Sequence, residues 1–195
     1  MNVDSIVVGL GNPGTRYAFT KHNAGFLCLD VLTQDFGASF DTHNSLAKST
    51  QAFHSLITID GKKVLLFKPQ TFMNRSGESL AILYSKFQHL RAVPLIVIHD
   101  EVDIPMGRLR VKLGGSDAGH NGLKSIRAAL GHGDYYRIRM GVGRPPRGEL
   151  VDHVLDRFSK EEEPLLMTCI QHSIEALREL LREDLAAAQV TASKC

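Results

Sequence analysis

At 195 residues, with 43% hydrophobic and 23% charged, the chain has enough apolar material for one substantial core, so a single domain over residues 1–195 is expected. Three widely separated cysteines, Cys28, Cys169 and Cys195, suggest neither a disulfide framework nor a Cys-rich zinc site and point to a reducing compartment. The formal net charge of +2 excludes no class of partner until it is divided along the chain.

The N-terminus carries Asp4 ahead of a short apolar run that breaks at glycines, unlike a signal or transit peptide. No apolar stretch approaches the roughly 20 residues that cross a bilayer, so a cytoplasmic protein without membrane contact is expected. Ser5 to Leu10 reads as a buried strand, stopped by Gly11-Asn-Pro-Gly14. Apolar residues from Phe26 to Leu32 form a helical stripe within His22 to Phe36, ended by Gly37. Phe53 to Ile59 and Val64 to Lys68 flank Asp60-Gly61, a hairpin signal. A helix is expected from Phe72 to Phe87, with Ser76-Gly77 weakening its start.

Leu95 to Asp100 is a second buried strand, and Arg108 to Leu113 an alternating one. The glycine-rich Gly114 to Gly122 leads into a helix ending near Leu130-Gly131, Tyr136 to Val142 is a further strand, and Val151 to Leu155 reads as a short one. Ser159-Lys-Glu-Glu162 is a capping box that opens a long amphipathic helix carrying Leu166, Ile170, Ile174, Leu177 and Leu181 on one face. The expected fold is therefore α/β: a mixed, twisted sheet flanked by helices, with a long C-terminal helix.

Charge is uneven along this order. Between Gly107 and Arg147 nine Arg or Lys stand against two Asp, a local +7, whereas Glu149 to Ala188 holds ten acids and four bases, a local −6. Arg108, Arg110 and Lys112 alternate on one strand, as do Arg137 and Arg139 on another, so each row shares a face. Such rows suit phosphates; without a polyanionic ligand they would only keep an edge strand soluble.

Gly9-Leu-Gly-Asn-Pro-Gly14 follows a strand in the form of a dinucleotide-binding turn, but Pro13-Gly14-Thr15 prolongs the loop, and the only acid at suitable range, Asp30, falls inside a helix. A better use of the loop is to hold the Asn12 carboxamide at the carboxyl end of the strand, where open α/β sheets form crevices. His22-Asn23 lies at a loop-to-helix junction and His99-Asp100 at the end of the other buried strand. An aspartate there can fix a histidine tautomer and leave the second ring nitrogen as a base, whereas either residue alone reads as a cap or surface group. Metal binding by His99, Asp100 and Glu101 is disfavoured because neighbouring strand side chains point to opposite faces. There is no G-x-S-x-G elbow, and Cys28 reads as core, which leaves activated water as the better nucleophile. Thr71-Phe-Met-Asn74 and Gly119-His-Asn-Gly122 each set an Asn beside a structural break; a carboxamide can donate to a carbonyl and accept from an amide, as a peptide requires.

Taken in order, Gly9–Gly14, Tyr17, Thr20–Gly25, Lys68–Gly77, His99–Pro105 and Gly114–Gly122 resemble the bacterial peptidyl-tRNA hydrolase family, and the likeness runs from the first strand to Arg144-Pro145. The resemblance implies hydrolysis of the ester joining a peptide to the 3′-terminal ribose of tRNA. It implies His22 as catalytic histidine with Asp100 orienting it and Asn12 completing the catalytic group. It further implies Tyr17, Phe72, Met73, Asn74, His120 and Asn121 around the substrate, and Lys112 and Arg139 against the tRNA 5′ phosphate. It implies no metal, no organic cofactor and a monomer. Lys21 stands where many members have Arg, and Ser116-Asp-Ala118 departs from an all-glycine loop, which bears on that loop's mobility. Two other readings stay open at this point: a catalytically silent, splicing-factor-like RNA-binding relative, and a nucleotide-cofactor oxidoreductase.

Overall fold

The computed structural model describes residues 1–145 and 149–195, so Arg147, counted above in the basic stretch, lies outside the described residues. Six strands form one sheet: β1 (Ser5–Gly9), β2 (Ala52–Ile59), β3 (Lys62–Pro69), β4 (Leu95–Glu101), β5 (Leu109–Leu113) and β6 (Tyr136–Gly141), in the order β2-β3-β1-β4-β6-β5. The central strands β3, β1, β4 and β6 run parallel, while β2 and β5 close the two edges antiparallel. The expected hairpin joins β2 to β3, with Asp60 at φ 48° and Gly61 at φ 81°, the paired positive dihedrals of a twist-matched two-residue turn.

Both faces of the parallel strands are covered, which is why Ile6–Val8 of β1 and Leu95–Ile98 of β4 are continuous apolar runs rather than alternating ones. On one face Val7, Ile96 and Ile138 pack against α1 (Ala24–Asp35), α6 (Glu163–Leu181) and α7 (Leu185–Ser193). On the other, Ile6, Val8 and Val97 pack against Leu80 and Leu83 of α3 (Ser76–Lys86) and Leu123 and Ile126 of α4 (Asn121–Leu130). The chain leaves β1 toward β3 on one side, and β4 flanks it on the other. The carboxyl ends of β1 and β4 thus border a switch point, where such sheets open a crevice.

Several elements depart from expectation. Val151 to Leu155, expected as a strand, lies in helix α5 (Leu150–Leu155). Although β-branched, this segment sets Val151, Val154 and Leu155 at i, i+3 and i+4, and that helical spacing gathers its apolar side chains over one cleft. The helix sequence from His22 opens as a 3-10 turn at Lys21–Asn23, and that from Phe72 as one at Met73–Arg75. Arg108 lies before β5 and donates to the Cys195 carbonyl at 2.7 Å. A short helix, α2 (Ser45–Thr50), capped by the Asn44 side chain on Ala47 N–H, and the final α7 are additions. The long helix breaks at Glu183, φ 63°, after which Asp184 caps α7. The capping box forms as expected: Ser159 N–H donates to Glu162 at 2.8 Å and Glu162 N–H to the Ser159 hydroxyl at 3.3 Å. Among the described residues, no helix is long and apolar enough to cross a membrane.

Candidate active site

His22 reaches the sheet because α1 starts against bare backbone: a Cβ on Gly25 would overlap the Ile98 carbonyl and the Leu10 amide. The turn that holds His22 is also fastened from outside. Lys21 N–H donates to the Asp156 carbonyl at 3.0 Å, and Lys21 Nζ meets Glu162 of the capping box at 2.9 Å. So anchored, His22 Nδ1 lies 3.0 Å and 3.1 Å from the two oxygens of Asp100 at the end of β4. Asp100 is 2% exposed and His22 9%. Burial works against an imidazolium at His22, but the charge of Asp100 and its hydrogen bond outweigh it and raise the pKa above 6.5. Burial likewise opposes charge on Asp100, yet the two histidines facing it and their hydrogen bonds hold its carboxyl well below the usual range. With Nδ1 on the carboxylate, Nε2 of His22 is the ring nitrogen left for a substrate or water.

Asn12 follows β1 and is clamped by Asn23: its N–H donates to Asn23 Oδ1 at 2.8 Å, and Asn23 Nδ2 donates to its carbonyl at 3.0 Å. Its own Oδ1 accepts the Met73 N–H at 2.8 Å, which brings the Met73–Arg75 turn to the mouth of the crevice. That bond also orients the carboxamide, leaving the Nδ2 donor for the cleft. Asn74 in this turn and Asn121, the first residue of α4, line the same cleft of about 520 Å³ with Asn12, His22, Phe72 and Met73. At its rim Tyr17 and Phe72 meet edge to face, 6.3 Å between centroids, with Phe72 54% exposed.

A second cleft of about 130 Å³ also borders His22, lined by Asp100, Glu101, Gly119, His120 and Asn121. Val151 and Val154 of α5 line both clefts, so this helix bridges the site. It is fixed through His153, whose Nε2–H donates to the Val142 carbonyl at 3.1 Å. His120 sits behind the carboxylate, Nε2 2.9 Å from Asp100 Oδ1, while its Nδ1 accepts N–H bonds from Gly122 and Leu123 at the start of α4. Both its ring nitrogens are engaged within the protein, so it offers a substrate only ring carbons.

The basic rows diverge. Arg110 pairs with Arg139 and Lys112 with Arg137 across β5 and β6, so all four share a face. Arg137 is nonetheless withdrawn: 1% exposed, it donates to the carbonyls of Gly115, Ser116 and Gly133 and stacks on Tyr135. It holds the glycine-rich loop in place. Arg139 meets Glu101 at 3.0 Å, and Lys112 Nζ lies under Gly115. Partial burial, then Arg139 and Arg137, depress the Lys112 pKa: two cations crowd its ammonium while Glu101 alone offsets them.

His22, Asp100 and His120 set three potential metal-ligand atoms within 4.8 Å of one another. Both nitrogens aim at one carboxylate oxygen at hydrogen-bond distance, and shared protons account for the cluster. Sequence reasoning missed Asn23, Lys21 with Glu162, and the α5 valines. Asn23 was visible only as the neighbour of His22, and nothing local signals that its carboxamide reaches back eleven residues.

Comparison with known proteins identifies the family. The family model for peptidyl-tRNA hydrolase matches residues 6–194. A peptidyl-tRNA hydrolase of Geotalea daltonii is 44% identical over 183 residues, 92% of this chain and 91% of its own. One of Geobacter metallireducens is 45% identical over 180 residues, covering 92% and 90%. The crystal structure of peptidyl-tRNA hydrolase from Acinetobacter baumannii superposes with a TM-score of 0.86 at 33% identity, over 99% of this chain and 97% of that one. With a match over nearly its whole length, the chain belongs to the peptidyl-tRNA hydrolase family.

Proposed function

We propose that His22 is the general base with which this member of the family hydrolyses the ester between a peptide and the 3′-terminal ribose of tRNA. The observation that carries this reading is the buried His22–Asp100 pair opening onto the cleft that receives the Asn12 carboxamide. His22 Nε2 takes a proton from water as the water oxygen attacks the ester carbonyl; the resulting imidazolium returns a proton to the departing ribose oxygen. Proton transfer of this kind contributes roughly 10²–10⁴-fold. Asn12 Nδ2–H is the favoured donor to the developing oxyanion, because the Met73 N–H already occupies its oxygen. One such donor is worth about 3–4 kcal/mol.

The two clefts divide the substrate. The larger, with Tyr17, Phe72, Met73, Asn74 and Asn121, suits the peptide, whose amides pair with carboxamides and whose side chains rest on the aromatic rim. The smaller, lined by Glu101, whose carboxylate pairs with Arg139, suits the 3′-terminal nucleoside, with Arg139 and Lys112 against the 5′ phosphate. A monomer working in the cytoplasm is consistent with this scheme. The relatives described above are named as hydrolases, which favours the enzyme over a silent RNA-binding relative. The test is release of tRNA from N-acetylated aminoacyl-tRNA by the purified protein: turnover is expected, with loss in His22→Ala. Turnover undiminished in that variant would refute the base.

A further inference from the structure

Asp100 carries two imidazoles on one oxygen. His22 Nδ1 lies 3.0 Å and His120 Nε2 2.9 Å from Oδ1, and the two ring centroids are 4.9 Å apart. Either ring could in principle take the proton that hydrolysis removes from water, but only His22 adjoins the peptide cleft. The site therefore needs some means of directing the proton, and the rings differ in what their other nitrogen does.

His120 Nδ1 accepts the N–H of Gly122 at 3.1 Å and of Leu123 at 3.4 Å, which makes the ring the N-terminal cap of α4. A ring nitrogen that accepts N–H bonds holds a lone pair, so the single proton of His120 sits on Nε2 and points at Asp100. A second proton, on Nδ1, would be driven against two backbone donors at the positive end of a ten-residue helix. Nothing of the kind opposes a proton on His22 Nε2.

The surroundings reinforce the difference. His99 of β4 packs edge to face on His120 at 5.0 Å, donates from Nδ1 to the Asp100 carbonyl at 2.6 Å, and is kept neutral by burial. The Arg137 cation of β6 also disfavours charge on His99. Facing His22 are Asp100 and His120; Lys21, on its own turn, is engaged by Glu162, the residue before α6, and His153 of α5 turns to the Val142 carbonyl. Among the described residues, Asp100 is thus the one anion bonded to the pair.

We propose that His120 is a positioning residue acting through Asp100: its fixed Nε2–H bond to the shared oxygen restrains the carboxylate from taking the proton, and leaves His22 as the only imidazole able to do so. The proposal rests on His22 as the base. It assigns His120 a part in proton traffic rather than in hydrogen bonding to substrate.

The test separates capping from carboxylate bonding. In His120→Asn the side chain still caps a helix but is too short to reach Asp100, whereas the longer carboxamide of His120→Gln can donate to it. Profiles of kcat/KM against pH on N-acetylated aminoacyl-tRNA are expected to move the acid limb of His120→Asn upward by about one unit, with KM unchanged, since Asp100 then acts on His22 alone. His120→Gln should return the limb toward its original place. An unmoved limb in His120→Asn, or a raised KM with an unmoved limb, would overturn the proposal in favour of a cap or a substrate contact. Should the Asn variant not fold, nitrogen chemical shifts of the unaltered protein read the tautomer directly: a His120 ring protonated on Nδ1 between about pH 6 and 8 equally overturns it. Retained turnover in His22→Ala marks the distinct failure of the base assignment.

Discussion

Asn12 Oδ1 accepts the backbone N–H of Met73 at 2.8 Å, a bond across 61 residues that joins the loop after β1 to the turn before α3. It fixes which end of the carboxamide faces the cleft. Asn12→Asp keeps the acceptor and loses the donor, so the turn should hold its place while kcat falls about 10²–10³-fold. Single-turnover hydrolysis at saturating substrate measures this. A loss confined to KM would mean that Asn12 binds the ground state and the oxyanion has another donor.

The His22–Asp100 pair makes activity depend on pH in a defined sense. The neutral form of His22 is the base, and Asp100 raises its pKa above 6.5 against the effect of burial, so kcat/KM should climb with pH through a limb lying above that value. In Asp100→Asn the charge is gone and burial prevails: the limb should drop below 6.5 while the plateau falls by roughly 10²–10⁴-fold. The pair also links stability to pH. Asp100, depressed in the fold, stabilises above its unfolded pKa of about 3.9, and this is lost as pH falls through the folded value. His22, raised in the fold, stabilises fully below about pH 6.5, and this is lost as pH rises through its folded pKa. Urea midpoints across this range should change less in Asp100→Asn.

That pair was legible in the sequence because each member stands at a strand or loop end where the fold class itself predicts a crevice. The parallel strands and the hairpin were legible for a similar reason, β-branched runs bounded by turn residues. Segment 150–155 was not, since its two β-branched valines favour a strand while the spacing of Val151, Val154 and Leu155 favours a helix, and in six residues the spacing is carried by a single turn. Arg137 and Arg139 read identically two residues apart, yet one is buried under loop carbonyls and the other pairs with Glu101. Likewise the bond from Asp100 to His120 spans twenty residues and depends on where α4 begins. Such choices among polar partners are made by tertiary approach, which no local pattern encodes.

If Lys112 and Arg139 meet a phosphate, replacing either by Ala should raise KM for full-length tRNA and lower the slope of log affinity against log salt by about 0.7–0.9. Arg139→Ala also leaves Glu101 without its partner, so Lys112→Ala is the cleaner variant. Arg137→Ala should behave otherwise, costing stability of about 1–3 kcal/mol as the Ser116 carbonyl loses its donor and Gly115 is left with Arg127 alone. Equal KM values at low and high salt for parent and Lys112→Ala would remove the phosphate assignment.

Gly25 tests whether the site's geometry is set by backbone contact rather than by the side chains that perform the chemistry. Its Cα lies so close to Leu10 and Ile98 that a methyl group has no room, and both neighbours are main chain, one directly after β1 and the other in β4, unable to rotate away. Gly25→Ala must therefore push the start of α1 off the sheet, at a cost of about 1–3 kcal/mol by overpacking. His22 lies three residues before it and would move with that turn, away from Asp100 on the unmoved strand. A displacement of about 1 Å is enough to cost on the order of 10²-fold in rate. The variant should remain folded at low temperature, melt earlier, and show a kcat loss far larger than its loss of melting temperature would imply. A variant that melts earlier with kcat intact would mean that Asp100 and Asn12 hold His22 in register without help from the helix.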